Sequence, residues 1–154
     1  MTRLHQPALN RLFPDLREWN DGNDFPADAW VSSFGSVHDA LLYSSLFWPD
    51  FTEFEGCLVW ADSPPENLEQ WMLTLNQDRS AVEKLVNHRH ITDFFLNSPT
   101  APTPEQVEYL GFLLQDMWRL KLQRDFPHLP IKVEFYWHDR EASDDAQITV
   151  YLER

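Results

Sequence analysis

The chain is poor in the residues that mark several common protein classes. Its 154 residues include one cysteine, Cys57, so an intramolecular disulfide is excluded. Its four glycines are widely spaced, which leaves neither a glycine-rich phosphate loop nor a Gly-x-Ser-x-Gly nucleophile elbow. Residues 1–13 lack the apolar core of a secretory signal, and no hydrophobic run approaches the length of a membrane helix. We therefore expect a cytoplasmic protein.

Positive charge is also scarce, and one long segment has none. The chain has 25 acidic and 12 basic residues, a formal charge of −13, and no Lys or Arg occurs between Arg17 and Arg79. Residues 18–78 alone carry −12. A surface this acidic repels nucleic-acid phosphates and anionic membranes but attracts basic proteins. We predict a basic protein partner and neither a nucleic-acid nor a membrane partner.

Composition and hydrophobic periodicity together predict an α+β fold. Hydrophobic residues make up 43% of the chain and aromatic residues 14%, which is enough for one globular domain over residues 1–154. The cap sequence Thr103-Pro104-Glu105-Gln106 predicts a long central helix over 104–124. Alternating apolar residues predict an antiparallel sheet of at least three strands packed against that helix, with several shorter helices around it. The predicted strands span 51–60, 131–138 and 147–153, and 29–34 is predicted as a further short extended segment.

The acidic segment contains the residues that we predict to bind the partner. Glu53 and Glu55 share one face of the predicted strand 51–60, because side chains two apart in a strand point the same way. Trp48 and Trp60 lie among these acids, and tryptophan is a frequent anchor at protein interfaces. A second acidic group lies in the turn between the last two strands. The full set of candidates is Glu53, Glu55, Asp62, Glu66, Trp48, Trp60, Asp139, Glu141, Asp144 and Asp145.

One cluster offers an alternative based on chemistry. His88, His90 and Asp93 are residue types that bind metals, and they are the densest group of such ligands in the sequence. Two histidines two residues apart share a face only on a strand, whereas this segment is predicted to be helical or a turn. A histidine there more simply hydrogen-bonds the backbone at a helix end. We expect no catalytic residues, no metal and no cofactor, and an inert buried Cys57.

Several segments resemble a group of small, uncharacterised bacterial α+β proteins. In that group a long helix ends in a Trp-x-x-Lys-Leu-x-x-Asp-Phe-Pro pattern before a β-hairpin, as residues 118–127 do here. Residues 45–50 and 87–95 are also similar, and the resemblance spans about 35–152. It implies this fold and a bacterial source, and it implies no activity.

Three functions fit these patterns. The first is an immunity-type protein that neutralises a basic partner such as a bacterial toxin by covering its cationic cleft with carboxylates. The second is a small enzyme or metal-binding protein with a site at His88, His90 and Asp93. The third is an adaptor or chaperone for a secreted protein, whose acidity would serve the same kind of contact.

Overall fold

A computed structural model describes residues 9–13, 21, 23, 26–139 and 145–154. The chain divides into two compact units, residues 1–46 and 47–154. Together they form an α+β architecture, as the sequence predicts. Among the described helices none is both long and apolar enough to cross a membrane.

The first unit is helical where it is described. Its helices are α1 (Leu9–Leu12), α2 (Ala27–Phe34) and α3 (Val37–Phe47), the last ending at the unit boundary. Ser36 caps α3, because its hydroxyl accepts a hydrogen bond from Asp39 N–H at 3.0 Å and donates one to the Asp39 carboxylate at 2.7 Å. The extended segment predicted for 29–34 is wrong. It is helical, and Trp30 and Phe34 lie one turn apart with ring centroids separated by 4.4 Å.

The second unit contains the sheets and the long helix. Its elements are listed here in chain order: β1 (Phe51–Phe54), β2 (Cys57–Trp60), α4 (Pro65–Thr74), α5 (Arg79–Asn87), β3 (Arg89–His90), a 3₁₀ helix (Thr92–Phe95), α6 (Pro104–Asp125), β4 (Ile131–Tyr136) and β5 (Gln147–Leu152).

The last two strands form the antiparallel hairpin that the sequence predicts. β4 pairs with β5 from Ile131 opposite Leu152 to Tyr136 opposite Gln147. β3 pairs with the other edge of β5, so this sheet has the order β3-β5-β4. The predicted helical or turn segment after residue 87 is therefore wrong at 89–90, where two residues form a strand.

The predicted single strand 51–60 is also wrong. It is a separate two-stranded hairpin, in which β1 pairs with β2 and Phe54 lies opposite Cys57. Glu55 and Gly56 form its two-residue turn, with φ angles of 51° and 78°. Positive φ at both central residues is the turn that matches the twist of a tight hairpin, and Gly56 permits it at no steric cost.

Helix α6 is the central helix that the capping sequence predicts. The Thr103 hydroxyl accepts from Gln106 N–H, and the Gln106 side chain accepts from Thr103 N–H, which completes a capping box. Gly111 brings α6 close to β4, because a methyl group at this position would overlap the ring of Phe135. The buried face of α6 thereby packs on the sheet.

The end of α6 accounts for the Trp-x-x-Lys-Leu-x-x-Asp-Phe-Pro pattern in structural terms. Trp118 and Leu122 are fully buried. Burial opposes the charge of Lys121, but hydrogen bonds to Asp125 and Asp50 outweigh it and raise the Lys121 pKa. The pattern thus fixes a helix end.

Candidate functional site

Helix α4 of the second unit carries exposed acids and exposed apolar side chains. At 100° per residue, Leu68 and Met72 share one face of the helix. That face is buried against a cluster that includes Cys57, Val59 and Val82. Among the exposed side chains on the rest of α4, we call four the α4 surface: Glu66, Glu69, Trp71 and Leu73.

A cleft lies on each side of α4. The first has a volume of about 260 Å³ and is lined in part by Glu55, Glu69 and Leu73. The second has a volume of about 340 Å³ and is lined in part by Trp71 and Arg89. The α4 surface therefore stands between two concave regions, and Leu73, which is 75% exposed, is its most accessible apolar side chain.

The acids around α4 lack ion pairs, unlike other acids of the same segment. Asp50 is paired with Lys121 at 3.1 Å, and Glu53 Oε1 lies 3.4 Å from His128 Nε2. In contrast, four carboxylates make no ion pair with any residue that the structure describes. These four are Glu55, Asp62, Glu66 and Glu69.

The structure separates Glu53 from Glu55. Glu53 is in β1, whereas Glu55 is in the turn, so the prediction that both lie on one strand face is wrong. Two cations also lie close to this turn. Arg79 Nε donates to the carbonyl of Glu55 at 3.0 Å, and Arg154 Nη2 donates to that of Gly56 at 2.6 Å. We therefore place the candidate partner surface on α4, where Glu66 and Glu69 make no ion pair with a described residue, with Glu55 at its margin.

The two predicted tryptophan anchors differ in their surroundings. Trp48 is 37% exposed, and the Arg124 guanidinium lies 5.2 Å from its ring centroid. Trp60 is partly buried, and its ring lies 5.2 Å from that of Trp118. Its indole N–H is buried and has no hydrogen-bond acceptor in the described part of the chain. Trp60 packs mainly inward, whereas Trp71, which the sequence analysis did not select, is exposed on α4.

The proposed second acidic arm is only partly described. The Asp145 carboxylate accepts hydrogen bonds from the backbone N–H groups of Asp139 and His138, both at 2.9 Å, and these lower its pKa. Asp145 thereby connects the two described ends of the segment between β4 and β5. Asp139 is exposed, and Glu141 and Asp144 lie outside the described residues.

The histidine cluster lies where α5 meets β3. The rings of His88 and His90 lie 5.5 Å apart. His88 Nδ1 donates to the carbonyl of Leu85 at 2.7 Å, which confirms the predicted backbone contact at a helix end. Asp93 is exposed in the 3₁₀ helix. No three His, Cys, Asp or Glu side chains within the described ranges are arranged to hold a metal ion.

The second unit has a buried polar centre that the sequence analysis did not predict. Glu83 and Asn87 of α5 are fully buried. Glu83 accepts from the N–H groups of Leu58 at 2.8 Å and Leu152 at 2.9 Å. Asn87 donates to the carbonyls of Leu58 at 2.7 Å and Val150 at 3.0 Å. These side chains connect β2 to β5. Their one sequence signal is the spacing of four, which puts both on the same face of the helix.

Cys57 lies beside this centre. Its side chain is buried, and burial is the main reason that its thiol pKa is raised. A raised pKa keeps the thiol protonated at neutral pH, which is the weakly nucleophilic form.

No protein-family model, curated protein or solved structure matches this chain.

Proposed function

We propose that this protein is a non-enzymatic acidic interaction protein that binds a basic protein through the α4 surface. The observation that carries the proposal is that four carboxylates without ion pairs to described residues lie on α4 or in the two clefts beside it, together with exposed Trp71 and Leu73. Like charges that lack counter-charges repel one another and cost stability, so their occurrence on and beside one helix favours a binding role.

The two kinds of side chain on α4 would contribute differently. Glu66 and Glu69 would steer a basic partner towards the surface and raise its association rate. Trp71 and Leu73 would provide the apolar contact that slows dissociation, since a few large buried side chains dominate most interfaces. The partner surface that fits is a cationic one with an apolar hollow.

The concrete form that we favour is an immunity-type inhibitor of a bacterial toxin, acting in the cytoplasm. The charge pattern supports the mechanism, in which carboxylates cover a cationic substrate cleft. The resemblance to small bacterial proteins supports the source, and the single buried cysteine suits a reducing compartment.

The test uses the protein products of the genes that flank this one. Each is purified, and association with the full chain is measured by surface plasmon resonance from low to high salt. We expect a basic product to bind with an association rate that falls steeply with salt, because screening shortens the range of electrostatic attraction. Co-expression should also abolish the toxicity of that product to bacterial cells.

Two double variants with the same net charge distinguish the effect of charge on α4 from the effect of the overall charge of the protein on the association rate. Glu66→Lys/Glu69→Lys should reduce the association rate at least tenfold. Glu105→Lys/Glu108→Lys on α6 changes the net charge equally and should reduce it much less. Equal losses in both variants, or no binding to any flanking product, would overturn the proposal.

A further inference from the structure

Arg89 is a half-buried cation that lacks a counter-charge. It makes no ion pair within the residues that the structure describes. Its Nη1 instead donates to the carbonyls of Val86 at 2.9 Å and His88 at 2.7 Å. The guanidinium carbon lies 4.9 Å from the ring centroid of Trp60. The charge is thus held in place by neutral groups alone.

These contacts use only part of the guanidinium. Nη1 is occupied by the end of α5, and one face of the group lies against the indole of Trp60. Nε and Nη2 form the remaining edge, and no described residue provides an acceptor for them. Two parallel N–H groups on one edge match the two oxygens of a carboxylate. Burial lowers the Arg89 pKa, which reflects a cost of desolvation that a bound anion would offset.

The residues around Arg89 indicate the size, polarity and charge of the anion that would fit. Arg89 lines the second cleft beside α4, with a volume of about 340 Å³, which is at the lower end for small-molecule sites. Trp60, Trp71 and Leu68 line the same cleft and favour a flat apolar group. Asp62 also lines it and disfavours a second negative charge on the ligand.

We propose that the cleft between α4 and Arg89 binds a small monocarboxylate with a flat apolar body. The carboxylate lies on the Nε and Nη2 edge of Arg89, and the apolar body lies against Trp71. The cleft shares Trp71 with the α4 surface, but its anion-binding residue, Arg89, has no part in the proposed contact with a basic protein.

The probe is 3-phenylpropionate, compared with its neutral amide 3-phenylpropionamide and with inorganic phosphate. Binding to the full chain is followed by NMR, through the side-chain Nε–H signal of Arg89, and by tryptophan fluorescence. We expect 3-phenylpropionate to shift the Arg89 signal and to bind at least tenfold more tightly than the amide. Phosphate should bind more weakly than 3-phenylpropionate. Equal binding of acid and amide, or an unmoved Arg89 signal, would overturn the proposal.

Variants localise the binding. Arg89→Gln should lower the affinity for 3-phenylpropionate at least tenfold, whereas Arg79→Gln, which removes another carbonyl-bonded arginine outside this cleft, should leave it unchanged. Trp71→Ala removes an exposed wall without disturbing the core, so it tests the site even if Arg89→Gln fails to fold, and it should lower the affinity at least threefold. Unchanged affinity in Trp71→Ala would contradict the assigned wall. Glu66→Lys/Glu69→Lys should retain 3-phenylpropionate binding, so failure of the partner proposal is distinguishable from failure of this one.

Discussion

The guanidinium of Arg154 donates two hydrogen bonds to the carboxylate of Glu83, from Nη1 to Oε2 at 3.0 Å and from Nη2 to Oε1 at 3.1 Å. Glu83 is fully buried, and the same two oxygens also accept the N–H groups of Leu58 and Leu152. One carboxylate therefore serves four donors. A buried charge is tolerated in a protein core only when it is paired and hydrogen-bonded in this way.

We predict that Glu83→Gln destabilises the protein by about 3 kcal/mol. The amide keeps the shape but replaces one acceptor with a donor, which faces existing N–H groups and leaves Arg154 without its counter-charge. Urea unfolding followed by tryptophan fluorescence measures the change. Glu66→Gln is the matched control, because Glu66 is exposed and lacks an ion pair with any described residue, and it should change stability by less than about 0.5 kcal/mol. Equal effects at both sites would contradict the prediction.

A second prediction concerns Gly111 in α6. In most helices Gly→Ala stabilises by about 1 kcal/mol. Here the added methyl group would lie 2.6 Å from Cδ2 of Phe135 and closer still to other ring atoms, so we expect a loss of about 1–3 kcal/mol from overpacking. A double-mutant cycle with Phe135→Leu should show coupling, because a smaller side chain relieves the overlap. Additive losses in thermal or urea unfolding would contradict this cause.

A substitution in the turn between β1 and β2 should stabilise the protein. Glu55 has a φ of 51°, a region that costs most residues about 1–2 kcal/mol and that asparagine tolerates well. Glu55→Asn should therefore raise the free energy of unfolding by about 1 kcal/mol and raise Tm. Glu55→Gln removes the same charge without improving the turn and should give little gain. If Glu55→Gln stabilises as much as Glu55→Asn, relief of charge repulsion is the cause instead.

Asp125 at the end of α6 should make the free energy of unfolding depend on pH. Hydrogen bonds from Arg124 and Lys121 lower the pKa of Asp125 below its unfolded value of about 4. Asp125 therefore stabilises the fold at pH values above its unfolded pKa, and that contribution is lost as pH falls through its folded pKa. The difference in unfolding free energy between wild type and Asp125→Asn should be largest above about pH 5 and should shrink below about pH 4. Urea titrations at pH 7, 5 and 3 measure it, and a difference that does not change with pH would refute the prediction.

Local patterns in the sequence predicted the elements whose causes are local. The capping box predicted α6, and period-two alternation predicted the β4–β5 hairpin in its antiparallel pairing. The turn at Glu55 and Gly56 is not visible in the sequence because apolar alternation continues across it, and this alternation predicts one strand over 51–60. β3 has only two residues and thus no period; its pairing with the edge of β5 makes it a strand.

The candidate site was harder to predict for a similar reason. The sequence located the acidic segment but not which acids have counter-charges, since Asp50 and Glu53 meet Lys121 and His128 from far along the chain. Arg89 was missed because a cation without a partner is visible only once its neighbours are known.

The bridge that Glu83 and Asn87 make between β2 and β5 also occupies backbone groups on one side of each strand. An exposed strand edge is a template on which another chain can add a strand. On β2, both the N–H and the carbonyl of Leu58 are bonded by these side chains, and on β5 so are the N–H of Leu152 and the carbonyl of Val150. A helix side chain occupies each of these positions and cannot extend a ladder, so these stretches of β2 and β5 cannot pair with a strand from another chain.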